Sequence, residues 1–159
     1  MVGKIVSIHI ASVAAAPMIG AASVRAVAGK GLEGDRYFSM TGTFSGKPRP
    51  DSEVTLIEAE VLEALARENG IVLAPGASRR NITTRGVGLN DLVGKEFSIG
   101  AARLRGLRLC EPCAHLEKLT QAGVLKGLVH RGGLRAQVLV DGVIQVGDAV
   151  VVSDSTGEV

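Results

Sequence analysis

Apolar and polar residues alternate along much of this chain, and glycine breaks the alternation at short intervals. Residues 4–11, KIVSIHIA, predict a strand with Val6, Ile8 and Ile10 on one face at a period of two. Residues 24–28 predict a second, short strand. Residues 29–36, with glycines at 29, 31 and 34, read as a loop, and residues 39–50 as a polar loop broken by Gly and Pro. The clearest helical pattern covers residues 56–69. Thr55 and Glu58 are spaced as a capping box, Ile57, Val61, Leu62 and Leu65 form an apolar stripe, and Gly70 stands where a left-handed residue ends a helix. Such a stripe points to core packing.

In the second half, residues 97–99 and 102–109 predict strands, and residues 115–122 one or two helical turns carrying Leu116 and Leu119. Residues 125–129 continue the apolar character. Residues 136–140, Asp141-Gly142 and residues 143–146 have the chemistry of a type I′ hairpin. Gly147-Asp148 turns the chain into a last strand over residues 150–153, and residues 156–159 are expected to fray. Many short strands, dense turns and one good helix predict a mostly β fold, a closed sheet or barrel with a few helices.

The chain is 159 residues long, which suits one domain over residues 1–159. Hydrophobic residues make up 46% and charged residues 21%, an ordinary globular balance. Aromatics are 3% with no Trp, which removes the stacking platform that single-stranded nucleic acid needs. A net charge of +2 argues for neither nucleic acid nor a membrane surface. No apolar run reaches the length of a membrane-spanning helix, and Ser7, His9 and Ser12 interrupt the N-terminal run, which favours a strand over a signal peptide. Only two cysteines are present, both in one short segment. That usage fits a reducing compartment, and a cytoplasmic location is expected.

Four segments carry chemistry. The first is Cys110-Glu111-Pro112-Cys113. A C-x-x-C spacing serves zinc, thiol exchange or a single reactive thiolate, and two buried structural cysteines are an equal alternative. Zinc needs two further ligands, for which His115 and His130 are the candidates, at a spacing unlike that of a known finger. The surroundings lack the strand and helix context of a thioredoxin motif. Cys110 ends an apolar strand and is expected to point into the core. Cys113 follows Pro112 at a helix start, where a thiolate is stabilised, so it is the better reactive candidate. The second segment is Gly31-Leu32-Glu33-Gly34-Asp35-Arg36, a tight turn with a local Asp–Arg pair or the edge of a ligand site. The third is Arg79-Arg80-Asn81-Ile82, followed by Arg85. Its arginines suit a solvated face or bidentate phosphate binding. The fourth is Lys126, His130-Arg131-Gly132-Gly133 and Arg135, a polar loop or an anion nest.

In this order the segments resemble a stand-alone molybdenum-cofactor sulfurase C-terminal (MOSC) domain. Val54-Thr55-Leu56-Ile57-Glu58, Leu92-Val93-Gly94, Ile99-Gly100 and Gly147-Asp148 complete the set, and the likeness covers residues 3–152. The resemblance implies a MOSC-type β-barrel that binds the molybdenum cofactor, molybdopterin. In redox-active members, which reduce N-hydroxylated compounds, the family cysteine ligates molybdenum, and Cys113 matches that position. Arg79, Arg80, Asn81, His130, Arg131 and Gly132 are the residues expected around the cofactor's phosphate and pterin, with Glu33, Asp35 and Arg36 shaping the rim. The chain lacks the second barrel and the iron–sulfur domain that accompany some of these members, so a separate electron-donor protein is expected. Two other readings stand beside this one. In the first, Cys113 carries a persulfide received from a pyridoxal-phosphate-dependent cysteine desulfurase. In the second, the chain is a zinc-stabilised binding domain.

Overall fold

The computed structural model describes residues 2–13, 15–39, 53–74 and 76–153. Beyond Ser39, the polar loop expected over residues 39–50 lies outside the described residues, as does the expected fraying over 156–159. The described elements are β1 (Val2–Ile10), β2 (Ile19–Ala21), β3 (Ser23–Val27), β4 (Gly31–Leu32), α1 (Arg36–Ser39), β5 (Val54–Glu58), α2 (Ala59–Asn69) and β6 (Ile82–Arg85). A 3-10 turn at Leu89–Leu92 follows. The remainder are β7 (Glu96–Ile99), β8 (Ala102–Leu109), α3 (Ala114–Leu119), α4 (Val124–Gly127), β9 (Leu134–Val140), β10 (Gly142–Gln145) and β11 (Ala149–Val152).

The main sheet runs β11-β7-β8-β9-β5-β6-β1-β2, and β11 also pairs with β1. That pairing closes the seven strands from β11 to β1 into a barrel and leaves β2 as a short flap on β1. Closure removes the free edges that an open sheet would carry. The expected β-barrel with a few short helices is therefore the observed fold. A small second sheet, β10-β3-β4, covers one side. Inside the barrel lie Ile5, Ile8, Leu56, Ile82, Phe97, Leu104 and Leu134, each no more than 1% exposed, with their neighbours. A second apolar cluster sits under the helices and joins Ile57, Leu65, Ile71, Leu116, Val124 and Leu128.

Four local expectations change. On β1, Ile5 and Ile8 face the core while Val6 is 37% exposed. The ladder to β6 shifts register between Ile5 and Ser7, and this bulge breaks the strict period of two. The helix starts later than expected, because residues 54–58 form β5 and Glu58 takes the N-cap position without a side-chain cap. Thr55 serves β5 instead: its hydroxyl accepts the Asn81 N–H at 3.0 Å. Ile57 leaves the helix but still packs with Val61, Leu62 and Leu65, because strand and helix share the second core. Gly70 ends α2 in the left-handed conformation, φ 68°, as the sequence predicts.

The third change concerns the last strands. Both form, but β9 pairs with β8 and β5, while β10 crosses to pair with β3. No β9–β10 hairpin is made. Asp141 binds across the two sheets, accepting the Ala28 N–H at 2.7 Å and facing Arg25 at 3.5 Å. Fourth, the stretch read as loop over 29–36 contains the two-residue strand β4, and β2 appears where no strand was expected.

The parallel pair β5–β6 is joined by α2, the crossover that parallel strands require. Asn81 stitches the start of that pair. It is fully buried, its Oδ1 accepts the Thr55 N–H at 3.0 Å, and its Nδ2 donates to the His9 carbonyl at 3.2 Å. This joins β1, β5 and β6 just beside the functional residues.

Candidate functional site

Pro112 follows the end of β8 and has no backbone N–H to extend a strand. The chain then enters α3 with Cys113 as N-cap, φ −139° and ψ 169°. A six-residue helix is not stable alone. Leu116, 4% exposed, anchors it in the second core, and Cys113 packs partly against the same cluster. Cys113 is half-buried, whereas Cys110 is 1% exposed and donates its N–H to the Gly133 carbonyl at 2.7 Å. The two cysteines thus occupy the unlike positions that the sequence suggested.

Arg80 clamps this segment. It is 7% exposed, and its Nε donates to the Gly132 carbonyl at 2.7 Å while Nη2 donates to the Cys110 carbonyl at 2.9 Å. Gly132 has to be glycine for the clamp to close. A Cβ there would stand 2.5 Å from the Cys110 carbonyl oxygen and 3.1 Å from the Pro112 ring. Gly133, φ 118°, passes against the Leu56 carbonyl where no side chain fits.

Arg79 holds a left-handed backbone, φ 62°, which costs a non-glycine residue on the order of 1 kcal/mol. Its Nη1 donates to the Ala16 carbonyl at 2.7 Å. Burial, with the neighbouring Arg36 charge added, lowers the Arg79 pKa from its ordinary value. Arg36 lies 3.1 Å from Asp35, donates to the Arg79 carbonyl at 3.3 Å and stacks over the Tyr37 ring at 4.5 Å. Asp35 is fully buried and accepts the Ala11 and Tyr37 N–H groups, so it fixes the turn that presents Arg36.

These elements meet in one open cleft. Arg36, Arg79, Arg80 and Arg135 line it with Cys113, Glu111, His115 and Tyr37, and Ala15, Leu116 and Leu119 give it apolar patches. Glu111 is held from outside. Its carboxylate accepts the His130 N–H at 2.7 Å and lies 2.9 Å from His130 Nδ1. These bonds, with the Arg80 charge, hold its pKa below the usual carboxylate value.

Of the residues expected from the sequence, the cleft brings together Cys113, Arg36, Arg79 and Arg80. Asp35 supports Arg36 from below and Gly132 supports Arg80. Asn81 spends its amide on β1 and β5. His130, with φ 63° and an 82% exposed side chain, stands outside the cleft behind Glu111. Arg131 points to the far end of α2, donating to the Gly127 carbonyl at 2.8 Å and lying 3.1 Å from Glu68. Arg135, named in the fourth segment but not among the residues expected around the cofactor, lines the cleft, as does Tyr37, which the sequence did not single out. Alternation along β9 held the signal for Arg135, because its neighbours Leu134 and Ala136 are core residues.

The donor set suits a particular kind of ligand. One accessible sulfur donor and four guanidinium groups fit a soft metal on an anionic carrier. Arg80 Nη1 has no hydrogen-bond partner among the described residues, which leaves it available to an anion in the cleft. Among the described residues, no three His, Cys, Asp or Glu side chains group to hold a metal ion, so the zinc reading finds no ligand set. No helix among the described residues is long and apolar enough to cross a membrane.

Residues 33–151 match the sequence model of the MOSC domain. The fold is similar to the YuaD protein of Bacillus subtilis, with a TM-score of 0.79, 18% identity and 96% of each chain covered. It is also similar to YiiM from Geobacillus stearothermophilus, with a TM-score of 0.73, 18% identity, and coverage of 96% of this chain and 75% of that one. YiiM from Escherichia coli follows with a TM-score of 0.66, 17% identity, and coverage of 95% and 70%. No curated protein sequence matches the chain. A domain model that spans most of the chain, on a barrel shared with these structures, establishes that the chain belongs to the MOSC domain family, which is associated with the molybdenum cofactor.

Proposed function

We propose that this protein binds the molybdenum cofactor in the arginine-lined cleft, with Cys113 as the metal ligand, and works as an oxidoreductase on N-hydroxylated compounds. The observation that carries the reading is the placement of Cys113 on the same cleft as Arg36, Arg79, Arg80 and Arg135. When bound, the cofactor supplies a redox-active metal centre able to exchange electrons with a substrate. The chain's own residues bind and orient. Arg79 and Arg80 are fixed by backbone carbonyls, which are neutral acceptors, so their charge remains for a phosphate. Arg80 also ties the Cys110 carbonyl to Gly132, which sets the start of the segment that carries Cys113. Leu116 belongs to the apolar cluster against which Cys113 packs, and this shields one side of that residue. Electrons would come from a separate donor protein.

A second reading keeps the same cysteine. A half-buried thiol open to a cationic cleft also suits a persulfide carried from a cysteine desulfurase, and this reading needs no metal. Both are tested together in protein made by cells that synthesise the cofactor. The redox reading expects molybdenum near one per chain in wild type and Cys110→Ser, its loss in Cys113→Ser, and amidoxime reduction once a donor is supplied. The carrier reading expects a mass gain of one sulfur after incubation with a desulfurase, absent in Cys113→Ser and kept in Cys110→Ser. Wild type without molybdenum but with that sulfur would select the carrier.

A further inference from the structure

Arg79 is held at three points, and one buried histidine packs against two of the segments that hold it. The Arg79 N–H donates to the Gly76 carbonyl at 2.9 Å, which closes the turn over residues 76–79. Its Nη1 donates to the carbonyl of Ala16, a short way ahead of β2. At the third point Arg36 Nη2 donates to the Arg79 carbonyl. With φ at 62°, Arg79 keeps its shape only while these neighbours hold it.

The histidine is His9 on β1, 7% exposed. It stands in register with Gly20 of β2, where a Cβ would lie 3.6 Å from its Nε2. Gly76, φ 80°, comes closer still. A Cβ there would lie 2.5 Å from His9 Cδ2, so bare backbone packs on the ring. His9 Nδ1 is buried and has no hydrogen-bond partner among the described residues.

The charges on the surrounding elements are engaged elsewhere. β2 carries none. On the turn, Arg79 faces Ala16, and Arg80 faces Gly132 and Cys110. Asp35 accepts the N–H of Ala11, further along from β1, and pairs with Arg36. Lys4 and Arg85 stand in register towards the other end of β1 and β6, where Arg85 meets Glu63. A charged imidazole carries a hydrogen on both nitrogens, so one of them would be buried at Nδ1 without an acceptor. Burial accordingly lowers the His9 pKa from its ordinary 6.5. Such a group takes up its proton more readily where water reaches it, so acid below 6.5 favours an opened form.

We infer that His9 is a positioning residue for Arg79 and an acid-sensitive latch: the neutral ring supports β2 and the 76–79 turn, and the charged ring frees both and withdraws Arg79 from the cleft. The latch stands on the packing around His9 and holds for whichever cargo the cleft takes.

The test is hydrogen exchange on the full chain, read by mass spectrometry between pH 7.5 and about pH 5 and corrected for the intrinsic pH dependence of exchange. In wild type, protection over residues 16–21 and 76–80 is expected to fall about tenfold in acid, while residues 102–109 of β8 keep theirs. His9→Phe keeps a ring against Gly76 without the titration, and its protection is expected to stay level. His9→Gln makes the same comparison if the larger ring does not fit, and far-UV circular dichroism shows which variant is folded. Sulfate, which keeps its charge over this range, reports on Arg79 by calorimetry. Wild type is expected to bind it about fivefold more weakly than the folded variant at pH 5, and equally well at pH 7.5. Wild-type protection that is unchanged in acid, the same acid loss in the variant, or sulfate bound at pH 5 as tightly by wild type as by the variant overturns the latch.

Discussion

Arg103 on β8 and Arg80 just ahead of β6 are held in different ways. Arg103 meets the Glu96 carboxylate at 2.8 Å, with Arg105 at 3.8 Å from the other oxygen, and all three side chains are more than a third exposed. Charge there is matched by charge in water, an arrangement that contributes little to stability. Arg80 is buried and bound to two carbonyls. Arg79 follows the same rule with the Ala16 carbonyl. Carbonyls fix a guanidinium without neutralising it, so the cleft keeps a positive field. Arg36, beside Asp35, stands between the two cases, as a paired cation placed where it also faces the cleft.

The contrast yields a graded set of expectations. Arg80→Met has the largest effect. It leaves the Gly132 and Cys110 carbonyls unsatisfied, and urea unfolding should show a loss of about 3 kcal/mol. A loss under about 1 kcal/mol would mean that water replaces the clamp. Arg79→Gly separates charge from strain. Phosphate affinity, read by calorimetry, should fall about tenfold, while relief at φ 62° keeps stability level with wild type or above it. A parallel fall in both would mark Arg79 as a structural residue.

Glu111 gives a smaller, pH-dependent effect. Its folded-state pKa is depressed, first by the backbone N–H of His130 and then by the His130 ring and the charges around it. A depressed carboxylate stabilises the fold above its unfolded-state value of 4.5, and that contribution is lost as the pH falls through the folded value. The stability gap between wild type and Glu111→Gln should therefore be present at pH 7 and close below pH 4.5. A gap that stays constant with pH would detach Glu111 from His130 and Arg80. Arg103→Gln is expected to cost least, about 0.5 kcal/mol, and less in high salt. A cost as large as that of Arg80→Met would erase the distinction between the two settings.

Much of this was legible in the sequence. Residues 102–109 form β8 at the predicted limits, Gly70 ends α2, and Cys110 and Cys113 divide into core and cleft. Those features rest on local rules: alternation, a left-handed cap and a proline break. What was not legible depended on pairing across the chain. The Asp-Gly turn after β9 has hairpin chemistry, yet β3 takes β10 and β8 takes β9. The bulge beyond Ile5 turns Val6 outward, which no count of apolar residues foresees. The site divided in the same way. Family order pointed to Arg79, Arg80 and Cys113, which meet. Arg131 is next to Gly132, whose carbonyl closes Arg80's clamp, but its guanidinium turns to Glu68 and Asn69 on α2. Arg135, four residues further on, enters the cleft because β9 alternates its side chains.

The most direct test of the central claim is X-ray absorption at the molybdenum edge, comparing wild type with Cys113→Ser, both purified from cells that make the cofactor. If Cys113 ligates the metal above a bed of carbonyl-fixed arginines, the variant either loses the metal or retains it with one sulfur neighbour fewer. Equal molybdenum content with an unchanged sulfur count in the two proteins would contradict the account.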